Sequence, residues 1–236
     1  NKKSTPADLA TAIIAIKAVG LNPQKLHKTG AKKSLNLVAA LYRKSMMKQT
    51  VTVQSQVLIA LSTGNYQRPN NAKFSKASLG QVIVKNQLSN KGWAYNNQLA
   101  NTDSDTTAMA VTALARSKSS TAAVKSAIAK GQSYLKNAVY PSGAFGYAYM
   151  GKTYPNANST AEVIIAFSTK QSTLKYVNGY FKSGQTASPL KAMLGHVRST
   201  GSIKGAATQT LGVGQVNLAN AAYRQALKHR SVYTIK

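Results

Sequence analysis

Four apolar segments recur along this chain at nearly constant spacing, and that recurrence restricts the fold more than any other feature. They are DLATAIIAIKAVG from Asp8, QSQVLIALSTGNY from Gln54, DTTAMAVTALARS from Asp105 and NSTAEVIIAFSTK from Asn158. With Ala15, Ala60, Ala113 and Ala166 taken as equivalent, the intervals are 45, 53 and 53 residues. Repetition at this period marks an array in which one supersecondary unit is stacked on the next. Each segment is apolar nearly all round with small residues interleaved, the pattern of a helix enclosed by protein.

A second kind of helix follows each apolar one. Ser120 to Asn137 places Val124, Ala127, Ile128, Gly131 and Leu135 on one stripe, with Lys125, Lys130 and Lys136 among its polar positions. This is an amphipathic surface helix. Leu35 to Met47 and Leu79 to Leu88 carry weaker versions, and Gln81/Gln132, Lys85/Lys136 and Asn86/Asn137 are each 51 residues apart. An enclosed helix alternating with a lysine-bearing one predicts helical hairpins whose first members meet inside and whose second members face water. Closing such a row into a ring would bury every inner helix. The expectation is an all-α fold, an α/α toroid of about five hairpins in a single domain over residues 1–236. The repeats are clear within 4–175. The closing region 176–236 is broken by glycines from Gly179 to Gly214 and ends in a helix from Asn217 to Arg230.

Charge restricts the partners. The 236 residues include 31 Lys and Arg against 4 Asp and Glu, a net charge of +27. Such a surface attracts polyanions with a salt-dependent affinity. The basic residues are scattered singly and match no nucleic-acid motif, so sequence-specific nucleic-acid binding is not expected. Anionic or glycan polymers of the cell envelope are the expected partners. Abundant Lys, Asn, Gln, Ser, Thr and Tyr has the flavour of an exported, cell-surface bacterial protein of Gram-positive type, and a start at Asn1 without Met suggests a mature or excised piece. No apolar run reaches the roughly 20 residues of a membrane span. With no cysteine, disulfides, thiolate metal sites and a Cys nucleophile are excluded.

Two stretches join a Gly-aromatic turn to an apolar helix: Gly92-Trp93-Ala94-Tyr95 ahead of Asp105-Thr106-Thr107-Ala108, and Gly143-Ala144-Phe145-Gly146-Tyr147 ahead of Ser159-Thr160-Ala161. In these features the chain resembles the terpenoid cyclase and protein prenyltransferase superfamily of α/α toroids, which also includes complement thioester domains and cobalamin carriers. The resemblance covers residues 4 to 175 and implies the fold. It does not imply one activity, because the fold hosts several. Class II terpene cyclases carry Asp-x-Asp-Asp-Thr-Ala, and Asp103-Ser104-Asp105-Thr106-Thr107-Ala108 keeps the first two acids with Thr106 in place of the third. By resemblance Asp105 would be the proton donor, with Asp103 beside it. Prenyltransferase zinc sites and the internal thioester need cysteine, so no metal and no cofactor is expected, although a cobalamin-like small-molecule carrier stays open.

The remaining candidates have structural alternatives. Asp8, Asp103, Asp105 and Glu162 all fall at predicted helix starts, with Thr5-Pro6-Ala7-Asp8, Thr102-x-x-Asp105 and Ser159-x-x-Glu162 reading as capping arrangements. His27, His196 and His229 have no carboxylate nearby in sequence, and Gly212-Val213-Gly214 lacks the strand and third glycine of a dinucleotide site. Trp93, Tyr95, Phe145, Tyr147 and Tyr149 fall in equivalent turns. They form either a ligand-binding platform at one end of the toroid or plugs between neighbouring hairpins. The expected function is a non-catalytic binding domain. An Asp105-dependent cyclase-like enzyme and a carrier are the alternatives.

Overall fold

Each inner helix begins where a short polar side chain takes over the first unpaired amides. Thr5, Thr50, Asp103, Asn156 and Thr208 are the N-caps, and each accepts a hydrogen bond from the amide three residues on. Thr50, Asp103 and Asn156 are spaced by 53 residues, so the start signal repeats with the helices.

The computed structural model describes residues 4–27, 30 and 34–233. In chain order the helices are α1 (Pro6–Ala18), α2 (Leu37–Tyr42), α3 (Val51–Leu61), α4 (Lys76–Lys85), α5 (Ser104–Arg116), α6 (Ala122–Ala138), α7 (Ala157–Phe167), α8 (Gln171–Leu174), α9 (Pro189–Leu194) and α10 (Gln209–Ala226). A 3-10 turn covers Leu99–Asn101, and β1 (Phe145–Tyr149) pairs antiparallel with β2 (Lys152–Asn156) between α6 and α7. The protein is therefore mostly helical with one small sheet.

Five helices pack as a row, α1 on α3, α3 on α5, α5 on α7, and α7 on α10; α3, α5 and α7 are largely buried, while α1 and α10 at its two ends keep one face exposed. The amphipathic helices lie against this row, α2 on α1, α4 on α3 and α6 on α5. Between the layers Leu41, Leu58, Leu79, Ile83, Leu114 and Leu135 are fully buried. No comparably extensive contact joins α10 back to α1 among the described residues.

One hydrogen-bonded device recurs where turns meet inner helices. The Trp93 amide donates to Thr107 Oγ1 at 2.9 Å, and the Phe145 amide donates to Thr160 Oγ1 at 2.9 Å. Gln54 occupies the equivalent place in α3, and its side-chain amide donates to the carbonyls of Met46 and Gln49. A polar residue on an otherwise buried face thus pins the preceding turn to its helix. Gly92 has to be glycine here, because a Cβ would sit 2.5 Å from Thr102 Cγ2.

The mostly helical class stands, with one small hairpin added: Met150 and Gly151 both take left-handed backbone (φ 47° and 71°), which suits a two-residue hairpin turn, and the alternating FGYAY and KTYPN around them pair as strands. Two expected helices have other bounds. The helix expected over Leu35 to Met47 stops at Tyr42, whose carbonyl accepts instead from the Lys73 amide at 2.8 Å; residues 31–33 lie outside the described set. The last helix starts at Gln209, so Gly212 and Gly214 lie inside it. Gly212 is a packing glycine, since a Cβ there would meet Ala206 Cβ at 2.6 Å.

Candidate functional site

In helices otherwise buried all round, one stripe stays half-exposed. In α7 its members are Asn158 and Glu162; in α5 they include Asp105 and Met109, and in α3 Thr52 and Gln56. These positions correspond at the 53-residue period and stand one turn apart on each helix. Polar contacts run along the row at this level. Gln56 Nε2 donates to Thr11 Oγ1 at 2.7 Å, Gln215 Nε2 of α10 donates to Glu162 Oε1 at 3.0 Å, and Asn158 donates to Gln215 Oε1.

The structure separates the four acids. Asp8 sits at the third position of α1 in a reciprocal bond with Thr5, as its sequence pattern predicts. Asp103, not Thr102, caps α5; its two oxygens accept from the amides of Thr106 (2.7 Å) and Ala148 (3.0 Å), tying the helix start to β1. Asn156, not Ser159, caps α7, which leaves Glu162 in mid-helix. The capping roles expected for Asp105 and Glu162 are therefore corrected. Asp105 accepts no hydrogen bond among the described residues.

Both of these carboxyl groups are enclosed although their side chains keep some exposed surface. Burial first, then the Glu162 and Asp103 charges, push Asp105 up to about 8. Burial pushes Glu162 up to about 7, opposed by the Gln215 hydrogen bond. Tyr233 lies close to Glu162 and Arg116, and burial raises its hydroxyl above the ordinary range. Asp105 can thus hold a proton at neutral pH in a poorly solvated place, the condition for donating one.

The aromatic residues divide into two groups. Trp93 and Phe145 are fully buried; Trp93 Nε1 donates to the Ile83 carbonyl at 2.7 Å, and Phe145 packs edge-on against Phe167. They plug the spaces between helices and present no surface to a ligand, which corrects their place in the candidate platform. Tyr95, Tyr147 and Tyr149 are exposed. Tyr147 stacks on Tyr154 across the hairpin with ring centroids 5.4 Å apart. Near this end a cleft of about 560 Å³ opens between Lys91, Tyr134, Tyr140, Thr153 and Lys182, with Asp103 and Ser104 in its wall.

Sequence reasoning missed Glu162 as a neighbour of Asp105, along with Gln215 and Tyr233. The signal for Glu162 was available, because the 53-residue period places it at the level of Met109, one turn from Asp105. Gln215 and Tyr233 lie where the repeat fades, and no period points to them. Among the described residues no group of three His, Cys, Asp or Glu side chains is placed to hold a metal ion, and no helix is long and apolar enough to cross a membrane. No family model matches the chain, and no curated protein matches it.

Proposed function

We propose that this chain is a non-catalytic binding domain of an exported bacterial surface protein, built as an arc of an α/α toroid, whose outside takes anionic or glycan polymers of the cell envelope. One observation carries the reading: the acids are turned inward. Asp103 is spent on backbone amides, Glu162 on Gln215, and Asp105 is enclosed beside them. Only Asp8 of the four acids is exposed, in a chain that carries 31 Lys and Arg. The surface field is then almost wholly cationic, which favours association with a polyanion. Titrating labelled poly(glycerol phosphate) at increasing salt tests this. Neutralising about four anionic groups should weaken affinity about a hundredfold between about 50 and 200 mM salt. A salt-independent affinity would remove charge as the driver.

A second reading is favoured by the state of Asp105. A carboxyl that has no hydrogen-bond partner among the described residues and is pushed up to about 8 suits a proton donor of the cyclase type. Turnover of an isoprenoid substrate that disappears in Asp105→Asn, with no loss of stability, would establish this reading over the first.

A further inference from the structure

The two ends of α5 open onto different clefts. Ser104 borders the aromatic end, and Arg116, twelve residues on, borders a larger cleft of about 970 Å³. Three successive helix ends of the row build this second cleft: Arg116 at the end of α5 with Lys118 beyond it, Ser168 to Gln171 after α7, and His229 to Val232 after α10. None of its described lining residues is acidic. Lys118, Lys170, His229 and Arg230 are all exposed around it.

Some cationic character at helix C-termini only answers the helix dipole. This cleft goes further. The chain's four acids are Asp8, Asp103, Asp105 and Glu162, and none of them lines it. Lys118, Lys170 and Arg230 therefore face one concavity whose described lining holds no acidic side chain, where their fields add. The hydroxyls of Ser168 and Thr169 are turned back to the carbonyls of Ile164 and Ala166, and Gln171 Nε2 donates to the Ala226 carbonyl. The charged groups left to meet a ligand are those of Lys118, Lys170 and Arg230, with Gln225, His229 and Ser231 beside them. Guanidinium forks beside ammonium groups match the tetrahedral oxygens of a phosphate. The volume admits a small ligand or a short stretch of a chain.

We infer that this cleft is a phosphate-binding site, which takes phosphate groups of a phosphodiester-linked envelope polymer through Lys118, Lys170 and Arg230. The inference rests on the polyanion reading above and gives it a place. Lys118 supplies a clean test. Its backbone is left-handed (φ 55°), a conformation that glycine adopts more readily than lysine, so Lys118→Gly removes the charge without harming the fold.

The experiment compares the parent with Lys118→Gly/Lys170→Gln/Arg230→Gln and with a control that removes three remote exposed cations, Lys25→Gln/Lys73→Gln/Lys85→Gln. Affinity for poly(glycerol phosphate) is measured at low salt, with thermal midpoints recorded for each. The expected result is a loss of about tenfold or more in the cleft variant and under about threefold in the control. The slope of log affinity against log salt should fall by about one for each cleft cation removed. Equal losses in both variants would overturn the cleft and leave diffuse surface binding standing. No binding by the parent would overturn both readings. Polyglutamate held as tightly, and with the same sensitivity to the cleft variant, would overturn the phosphate preference. A single-stranded oligonucleotide held more tightly than poly(glycerol phosphate) through the same residues would overturn the envelope polymer as the source.

Discussion

Replacing Asp105 with Asn should make the protein more stable at alkaline pH, the reverse of what removing a helix-start acid ordinarily does. The carboxyl has an ordinary value of 3.8 and is pushed up to about 8 in the folded protein. Below about pH 4 it is protonated in both states and contributes no pH dependence. Between the two values the folded state keeps a proton that the unfolded chain has released, so stability falls as pH rises. Above about pH 8 the loss is complete. Each pH unit in that window is worth about 1.4 kcal/mol, so the whole window carries on the order of 5 kcal/mol. That is a large part of the roughly 5–15 kcal/mol that holds a domain folded. Asparagine keeps the shape and removes the charge. Urea unfolding from about pH 4.5 to pH 8.5 should show a steep decline in the parent and a much shallower one in Asp105→Asn. The two curves separate progressively and differ by on the order of 10 °C in thermal midpoint at the alkaline end. Asp8→Asn is the control of opposite sign. The Thr5 backbone and hydroxyl hold the Asp8 carboxyl below its ordinary value, so its contribution is present above that value and is lost as pH falls. Parallel pH profiles for the parent and Asp105→Asn would refute the placement of Asp105 in a poorly solvated interior.

Two further perturbations test the packing that holds this stripe. A methyl group at Gly131 would lie 2.6 Å from Val111 Cγ2 and 2.8 Å from Trp93 Cζ3. Gly131→Ala should therefore cost about 1–2 kcal/mol net, because overpacking outweighs the helix preference of alanine, and it should shift the fluorescence of the single tryptophan. A stabilised variant with unchanged fluorescence would show that the contact relaxes freely. Thr107→Val and Thr160→Val each strip a buried turn amide of its acceptor and should each cost about 2 kcal/mol in urea unfolding. A double variant should lose about the sum, since the two pins lie in different repeats. Losses under about 0.5 kcal/mol would mean that the turns are held without them.

The repeat made the inner helices legible, because a buried all-apolar helix and its 53-residue period both survive in the linear pattern. The amphipathic α6 was equally readable from its lysine-free stripe. What failed was local competition. Thr102 and Ser159 satisfy a capping pattern on paper, but Asp103 and Asn156 win because each reaches the third amide of the helix that forms, and Asp103 also takes the Ala148 amide from the next repeat. A second partner 45 residues away is invisible in a local motif. The glycines of α10 misled for a related reason: Gly212 is selected by the close approach of Ala206, a tertiary demand that overrides its poor helix preference. The hairpin did leave a signal, the alternation on either side of Met150-Gly151, but the Gly-aromatic repetition masked it. Trp93 and Phe145 follow the same logic, since Gly-aromatic turns that recur with the helices are demanded by packing between helices.

The inward acids and the outward cations belong to one arrangement. A formal charge of +27 counts four carboxylates as ionised. With Asp105 pushed up to about 8 and Glu162 to about 7, part of that negative charge is absent at neutral pH, and the folded protein's net charge is higher than the formula says. Titrating the interior between pH 6 and 8.5 therefore changes the folded state's stability far more than it changes the surface a polymer meets. The Asp105 carboxyl belongs to the half-exposed stripe, while Lys118, Lys170 and Arg230 lie beyond the helix ends, and exposed charges separated by more than a Debye length of about 8–10 Å act nearly independently. Over α5 alone, the distance from Asp105 to Arg116 is about 16 Å along the helix axis. Polyanion affinity should accordingly stay nearly level from about pH 7.5 to 8.5, where histidine side chains are largely uncharged and the unfolding free energy still falls. Affinity and stability that decline together would mean that the acid stripe and the cationic cleft are coupled, and that the polymer reads the interior after all.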